Sequence, residues 1–126
     1  MFPQSSRPLR TRTKAFALRV IRLVESLPQR RAADHIVGQV LRCGTSVGAN
    51  YRAACRARSP AEFRSKLGIV EEEGDESVFW MEMLIDAKLV REKLITDLMR
   101  EANEIVAMVV SSIKTSRQPE KRANRK

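Results

Sequence analysis

A chain of 126 residues is long enough for one domain around one core. Aromatics, glycine and proline are sparse, and Ala, Leu, Val, Ile, Arg and Glu dominate, a composition that favours helices. No apolar run reaches the length of a membrane span and the N-terminus carries no apolar stretch, so neither a membrane protein nor a secretory signal is expected.

The formal charge of +9 is unevenly laid out. Residues 1–66 hold 14 Lys and Arg against 3 Asp and Glu, a net +11. Residues 67–113 hold 4 against 11, a net −7, and residues 114–126 hold 6 against 1, a net +5. Either the halves pair with each other or the basic half faces an external anion. A basic surface gathers phosphates by releasing their counterions, so RNA or DNA becomes a candidate partner.

In chain order, residues 1–9 carry two prolines and a polar stretch, and read as a flexible lead-in. From about Leu9 to Leu27, Phe16, Ala17, Val20, Ile21, Val24 and Leu27 recur at helical spacing until Pro28 stops them. A second helix begins near Gln29–Ala33. Its apolar stripe runs through Ile36, Val37, Val40, Leu41, Gly44, Val47, Gly48, Tyr51, Ala54 and Cys55. The stretch Gly44-Thr45-Ser46-Val47-Gly48-Ala49-Asn50 looks like a loop, yet the phase passes through it unbroken. Two glycines cost roughly 2 kcal/mol of helix propensity against alanine. On a buried stripe they let another backbone come close, which offsets that cost; a kink at Gly48 is the rival.

Ser59-Pro60-Ala61-Glu62 is the clearest boundary: an N-cap, a proline at the first helical position and the Glu of a capping box. The third helix is expected from about Pro60 to Val90, with a stripe of Phe63, Leu67, Val70, Gly74, Ser77, Met81, Leu84 and Ile85. The fourth begins after a turn around Arg91–Leu94, with a stripe of Leu98, Met99, Ala102, Ile105, Val106, Val109 and Ile113. Residues 117–126 read as a disordered basic tail. The expectation is all-α: an up-down-up-down four-helix bundle over residues 10–116.

The third helix carries more apolar surface than one stripe needs. Phe79, Trp80 and Met83 together would form an exposed patch, so they are expected at a homo-oligomer interface or against a protein partner. Catalysis has little support. Walker, G-x-G-x-x-G and H-E-x-x-H motifs are absent, and His35, the single histidine, reads as a solvated residue. The acidic run Glu71–Glu76 would need Glu-x-x-His pairs to hold metals, which one histidine cannot supply. A structural polar network is expected instead, joining Glu73 and Glu76 to Arg42, Ser46 and Asn50, with Arg52 as a further partner. Cys43 and Cys55 match no metal spacing and read as small buried hydrophobes in a reducing cytoplasm. No enzyme, cofactor or metal is expected.

The segment from Gln39 to Phe63 resembles the 23S rRNA intervening-sequence proteins. The pattern is Q-I-R-R-A-A-x-S-I-x-x-N-I-A-E-G followed by R-S-x-x-E-F. It is met by Gln39, Arg42, Ser46, Asn50, Arg58, Ser59, Glu62 and Phe63, and Glu76 falls where a third-helix Glu is common. The resemblance spans about residues 12–115. Two departures stand out: Gly48 replaces a common proline, and Ala53 replaces the acidic residue of A-E-G. The resemblance implies a four-helix bundle that assembles as a homopentamer. Similar bundles include an accessory protein of retroelement reverse transcriptases that binds nucleic acid.

The resulting expectation is a non-enzymatic cytoplasmic oligomer that binds RNA or DNA through Arg12, Lys14, Arg19, Arg22, Arg30, Arg31, Arg52, Arg56 and Arg58, aided by the tail. The alternative is a protein-interaction scaffold or an accessory subunit of a nucleic-acid enzyme.

Overall fold

The computed structural model describes residues 2–124, with side chains described for 9–117. Four helices follow one another: α1 (Phe2–Ser26), α2 (Arg31–Cys55), α3 (Pro60–Asp86) and α4 (Glu92–Asn124). No strand occurs among the described residues. Links at 27–30, 56–59 and 87–91 are too short for anything but antiparallel neighbours, so the chain runs up, down, up and down. Each helix packs on its neighbours in the chain, and α1 closes on α4 through the thinnest seam. Among the described residues the diagonal pairs do not pack.

The periodic stripes meet at the centre. Phe16 and Val20 of α1, Val40 and Val47 of α2, Leu67, Val70 and Leu84 of α3, and Ile105 and Val109 of α4 are all fully buried. Each such side chain contributes roughly 1.5–3 kcal/mol when taken from water. Helix α2 runs unbroken through residues 44–50, and no glycine has a positive φ. A Cβ on Gly44 would lie 2.8 Å from Val20 Cγ2. One on Gly48 would lie 3.3 Å from the Thr13 carbonyl oxygen and 3.8 Å from the Lys14 nitrogen. The two glycines therefore set how closely α1 and α2 cross. Gly74 plays the same part opposite Val106 in the α3–α4 seam.

Helix ends differ from the sequence expectation at three places. Helix α1 is helical from Phe2, through most of the stretch read as a lead-in. Buried Leu9 and Thr13 anchor that first part to the core despite the main-chain bond lost at Pro8. Helix α4 continues to Asn124, through most of the stretch read as a tail; Arg125 and Lys126 lie outside the described residues. Helix α3 stops at Asp86 instead of near Val90. Its end is a Schellman turn: Leu89 N–H donates to the Leu84 carbonyl and Lys88 N–H to that of Ile85, with Lys88 at φ 61°. That left-handed position is usually glycine, so Lys88 carries a small backbone strain.

The start of α3 forms as its sequence suggests, with one change. Ser59 Oγ accepts from Glu62 N–H at 3.1 Å, but the Glu62 carboxylate reaches back to Arg58 N–H at 2.9 Å rather than to Ser59. Both cysteines are unpaired. No helix among the described residues is long and apolar enough to cross a membrane.

Candidate nucleic-acid interface

Where α1 and α2 cross at Gly48, their outer faces leave a groove of about 470 Å³. Helix α1 supplies Arg10, Lys14 and Ala17, which share a face because they are spaced by four and three residues. Helix α2 supplies Thr45, Gly48, Ala49, Arg52 and Arg56 along its matching face. Four cations thus line the groove and no carboxylate does. All four are exposed, and among the described residues none forms an ion pair. The two threonine hydroxyls already donate to main-chain carbonyls, Thr13 to Arg10 at 3.1 Å and Thr45 to Leu41 at 2.7 Å. The arginines and the lysine are therefore the donors left to an incoming anion. No aromatic ring lines the groove, so it offers no stacking platform for bases.

The nine residues expected on one basic surface separate into groups. Lys14, Arg52 and Arg56 come together in the groove, joined by Arg10, which the sequence reading passed over. The missed signal was Arg10 lying four residues before Lys14. Arg12 is turned the other way, onto α4. Its guanidinium donates to both oxygens of Glu101, at 2.7 and 2.9 Å, to Glu104 at 2.8 Å and to Met108 Sδ at 3.0 Å. Hydrogen bonding to Arg12 holds the Glu101 carboxyl below the usual carboxylate range, and the charge of Arg19 adds to the effect. The Arg12 side chain is 31% exposed and that of Glu101 20%, so this clamp is partly shielded from water. Arg19 is exposed on α1 and Arg22, Arg30 and Arg31 are exposed near the end of α1 and the start of α2; none of the four lines the groove. Arg58 is exposed in the α2–α3 link, where its N–H meets Glu62.

The model of the 23S rRNA-intervening sequence proteins matches residues 9–111, most of the chain. The chain belongs to this family. A crystal structure of a protein of unknown function from the S23 ribosomal protein family of Bacteroides thetaiotaomicron is similar, at 32% identity and a TM-score of 0.79. The match covers 84% of this chain and 98% of that one. No curated protein matches.

In this family member the signature segment from Gln39 to Phe63 does structural work on three faces of α2 and in the turn after it. One face carries the polar network. Arg42 bonds Glu76 at 2.8 Å, Glu73 at 3.4 Å, Gln39 at 3.3 Å and Cys43 Sγ at 3.1 Å. The Trp80 indole N–H also donates to Glu76, at 3.3 Å. Arg42, Glu73 and Glu76 are thus brought together, in an open cluster in which the Arg42 side chain is 52% exposed. Ser46 and Asn50 stand apart from it. Asn50 Nδ2 donates to Ser46 Oγ at 2.8 Å and to its carbonyl at 2.9 Å, along α2 itself. Arg52, expected as another partner of the acids, lies in the groove instead, because α2 turns it toward α1.

Cys43, Glu73 and Glu76 bring their ligand atoms within 4.8 Å of one another. Arg42 already pairs with both carboxylates. Burial, reinforced by the Glu76 charge, pushes the Cys43 thiol up to about 12, so it rests protonated.

The apolar patch on α3 is narrower than the sequence suggests. Phe79 is 49% exposed, but Trp80 and Met83 are half-buried. Trp80 packs against the core and meets His35 of α2 edge-on at 6.0 Å. His35 is exposed, as expected, yet rests against an aromatic partner. Phe79 stands edge-on to Trp80 at 4.9 Å and is the most exposed of the three.

Proposed function

We propose that this protein is a non-enzymatic, cytoplasmic helical bundle that binds RNA or DNA through the α1–α2 groove. The observation that carries the reading is the convergence of Arg10, Lys14, Arg52 and Arg56 on one recess free of carboxylates. Arginine suits this task, because its planar fork contacts phosphate oxygens two at a time. Binding through such cations releases counterions, so affinity falls as salt rises. Fluorescence anisotropy with a labelled generic RNA or DNA at two salt concentrations tests it. Salt-sensitive binding that weakens in Arg52→Ala/Arg56→Ala supports the reading; no binding at low salt refutes it.

The proposed assembly is a homo-oligomer, a pentamer by family resemblance, with Phe79 at the contact and Trp80 and Met83 behind it. A large exposed ring beside a second ring is costly on a monomer surface and suits an interface. Native mass spectrometry of Phe79→Glu should show smaller species than the unaltered chain. The same patch favours a second reading, an interaction scaffold or accessory subunit of a nucleic-acid enzyme. Under that reading a partner protein co-purifies and its retention depends on Phe79.

A further inference from the structure

We infer that the occupant of the groove is a single-stranded polynucleotide, seated backbone-inward and running off the groove across one end of the bundle. This rests on the groove being a phosphate site, and adds which nucleic acid it takes and by what path.

The first ground is shape. The four cations sit around a recess between two adjacent helices, whose axes in such packing lie about 8–10 Å apart. Proteins read a duplex by pushing a ridge, usually a whole helix about 10–12 Å across, into a groove of the nucleic acid. Here the protein supplies the recess. A duplex laid over it would leave the space above Gly48 empty, whereas one strand fills it. Along α2 the lining from Thr45 to Arg56 spans roughly 16 Å, enough for a few phosphates. With no aromatic ring to stack on, bases point outward and go unread.

The second ground is topology. The up-down-up-down course brings the start of α1, the end of α2, the start of α3 and the later part of α4 to one end of the bundle. The packing agrees: Arg10 and Arg56 line one groove, and Arg64 donates to Ser116 Oγ at 3.1 Å. Charges far apart in sequence are thereby gathered. Arg58, Lys114 and Arg117 are exposed at this end and form no described ion pair, and Arg58 follows the groove residue Arg56 by two positions. The acidic run of α3 lies further along, where Arg42 takes up Glu73 and Glu76. A strand leaving the groove past Arg56 therefore meets mainly cations; the carboxylate described at this end is that of Glu62, which already accepts from the Arg58 N–H.

The path makes a length-dependent prediction. Single strands release about 0.7 counterions per neutralised phosphate. A four-nucleotide oligomer, held by the groove's four cations, should show a log–log salt slope no steeper than about −3. A twelve-nucleotide oligomer reaching Arg58, Lys114 and Arg117 should approach about −5. The experiment is anisotropy at several salt concentrations with oligo(U) and oligo(dT) of both lengths, a duplex of mixed sequence, and poly-glutamate as competitor. The unaltered chain is compared with Arg52→Ala/Arg56→Ala, Lys114→Ala/Arg117→Ala and Arg30→Ala/Arg31→Ala, each checked by melting for a retained fold.

Single strands should bind at least about tenfold tighter than the duplex, with RNA and DNA alike. The groove variant should weaken both lengths. Lys114→Ala/Arg117→Ala should flatten the slope by about 1.4 for the twelve-mer and leave the four-mer unchanged. The Arg30→Ala/Arg31→Ala variant should bind as the unaltered chain does. A duplex that binds as tightly, with loss in the groove variant, overturns the single-strand occupant and keeps the phosphate site. Equal slopes for the two lengths overturn the path. Binding indifferent to the groove variant overturns the site itself. Poly-glutamate that binds as tightly as oligo(U) and loses binding in the same variants identifies the surface as one for acidic protein.

Discussion

Helix α2 presents arginines on two faces, and the helices opposite treat them differently. Arg42 faces α3 and is taken up by Glu73 and Glu76. Arg52 and Arg56 face the part of α1 that offers Arg10 and Lys14 and no acid in the groove, so they stay unpaired beside further positive charge. The same residue type on one helix is thus internal neutralisation in one seam and an anion site in the other. Four like charges around a recess repel each other in the unliganded state, and an incoming polyanion relieves that repulsion. The α1–α4 seam shows the third outcome: Arg12, two residues from Lys14, is spent on closing the bundle.

The sharpest way to break this comparison is to reverse the groove charge. Arg52→Glu/Arg56→Glu should cut affinity for single-stranded RNA by more than about tenfold at low salt, while Arg42→Ala stays within about twofold. Equal losses in an anisotropy titration would mean that both faces bind, and that the pairing of Arg42 is irrelevant to function.

Next comes the crossing that shapes the groove. Gly48→Leu places a side chain against the Thr13 carbonyl, which as backbone cannot swing aside. It should destabilise by about 1–3 kcal/mol, read from a chemical-denaturation midpoint. A midpoint equal to the unaltered chain would show that α1 and α2 are not held this close.

The clamp can be tested by mutation and by acid. Arg12→Ala leaves Glu101 partly buried without its main partner and should cost about 1–2 kcal/mol. Because the folded-state value of Glu101 is lowered, its contribution is fully present above the ordinary Glu value of about 4.3 and is lost as pH falls through the lower one. Melting curves from neutral pH downward should therefore show the gap between Arg12→Ala and the unaltered chain narrowing in acid. A gap constant with pH would place the effect in packing against Met108 instead.

The smallest effect is expected at the exposed pair. Arg42→Ala should change stability by no more than about 1 kcal/mol, since exposed ion pairs contribute little. A larger loss would show that holding Trp80 through Glu76 matters more than the ion pair itself.

Much of the fold was legible because it is written in local spacing. The unbroken phase through Gly44 and Gly48 marked them as helix-interior contacts, and Ser59-Pro60 marked the start of α3. The end of α3 was not legible, because a lysine stands where a Schellman turn usually shows glycine. The candidate site was half legible. Lys14, Arg52 and Arg56 stood out by charge, but Arg12 looked the same and Arg10 was overlooked. Trp80 likewise read as surface until His35 and the core were found beside it.

The sequence by itself determined four amphipathic helices and their antiparallel order, because periodicity, capping residues and short links act within a few residues of the chain. Only the tertiary structure decided which cations remain free. Whether an arginine is neutralised depends on the side chains of the helix opposite, 89 residues away in the pair of Arg12 with Glu101. That partner is set by how the helices are rotated against one another, and the rotation follows from burying all four stripes at once and from the glycines that let α1 approach α2. Arg12 and Lys14 lie two residues apart on one helix; a rotation of about 200° between them separates a structural clamp from a candidate phosphate contact.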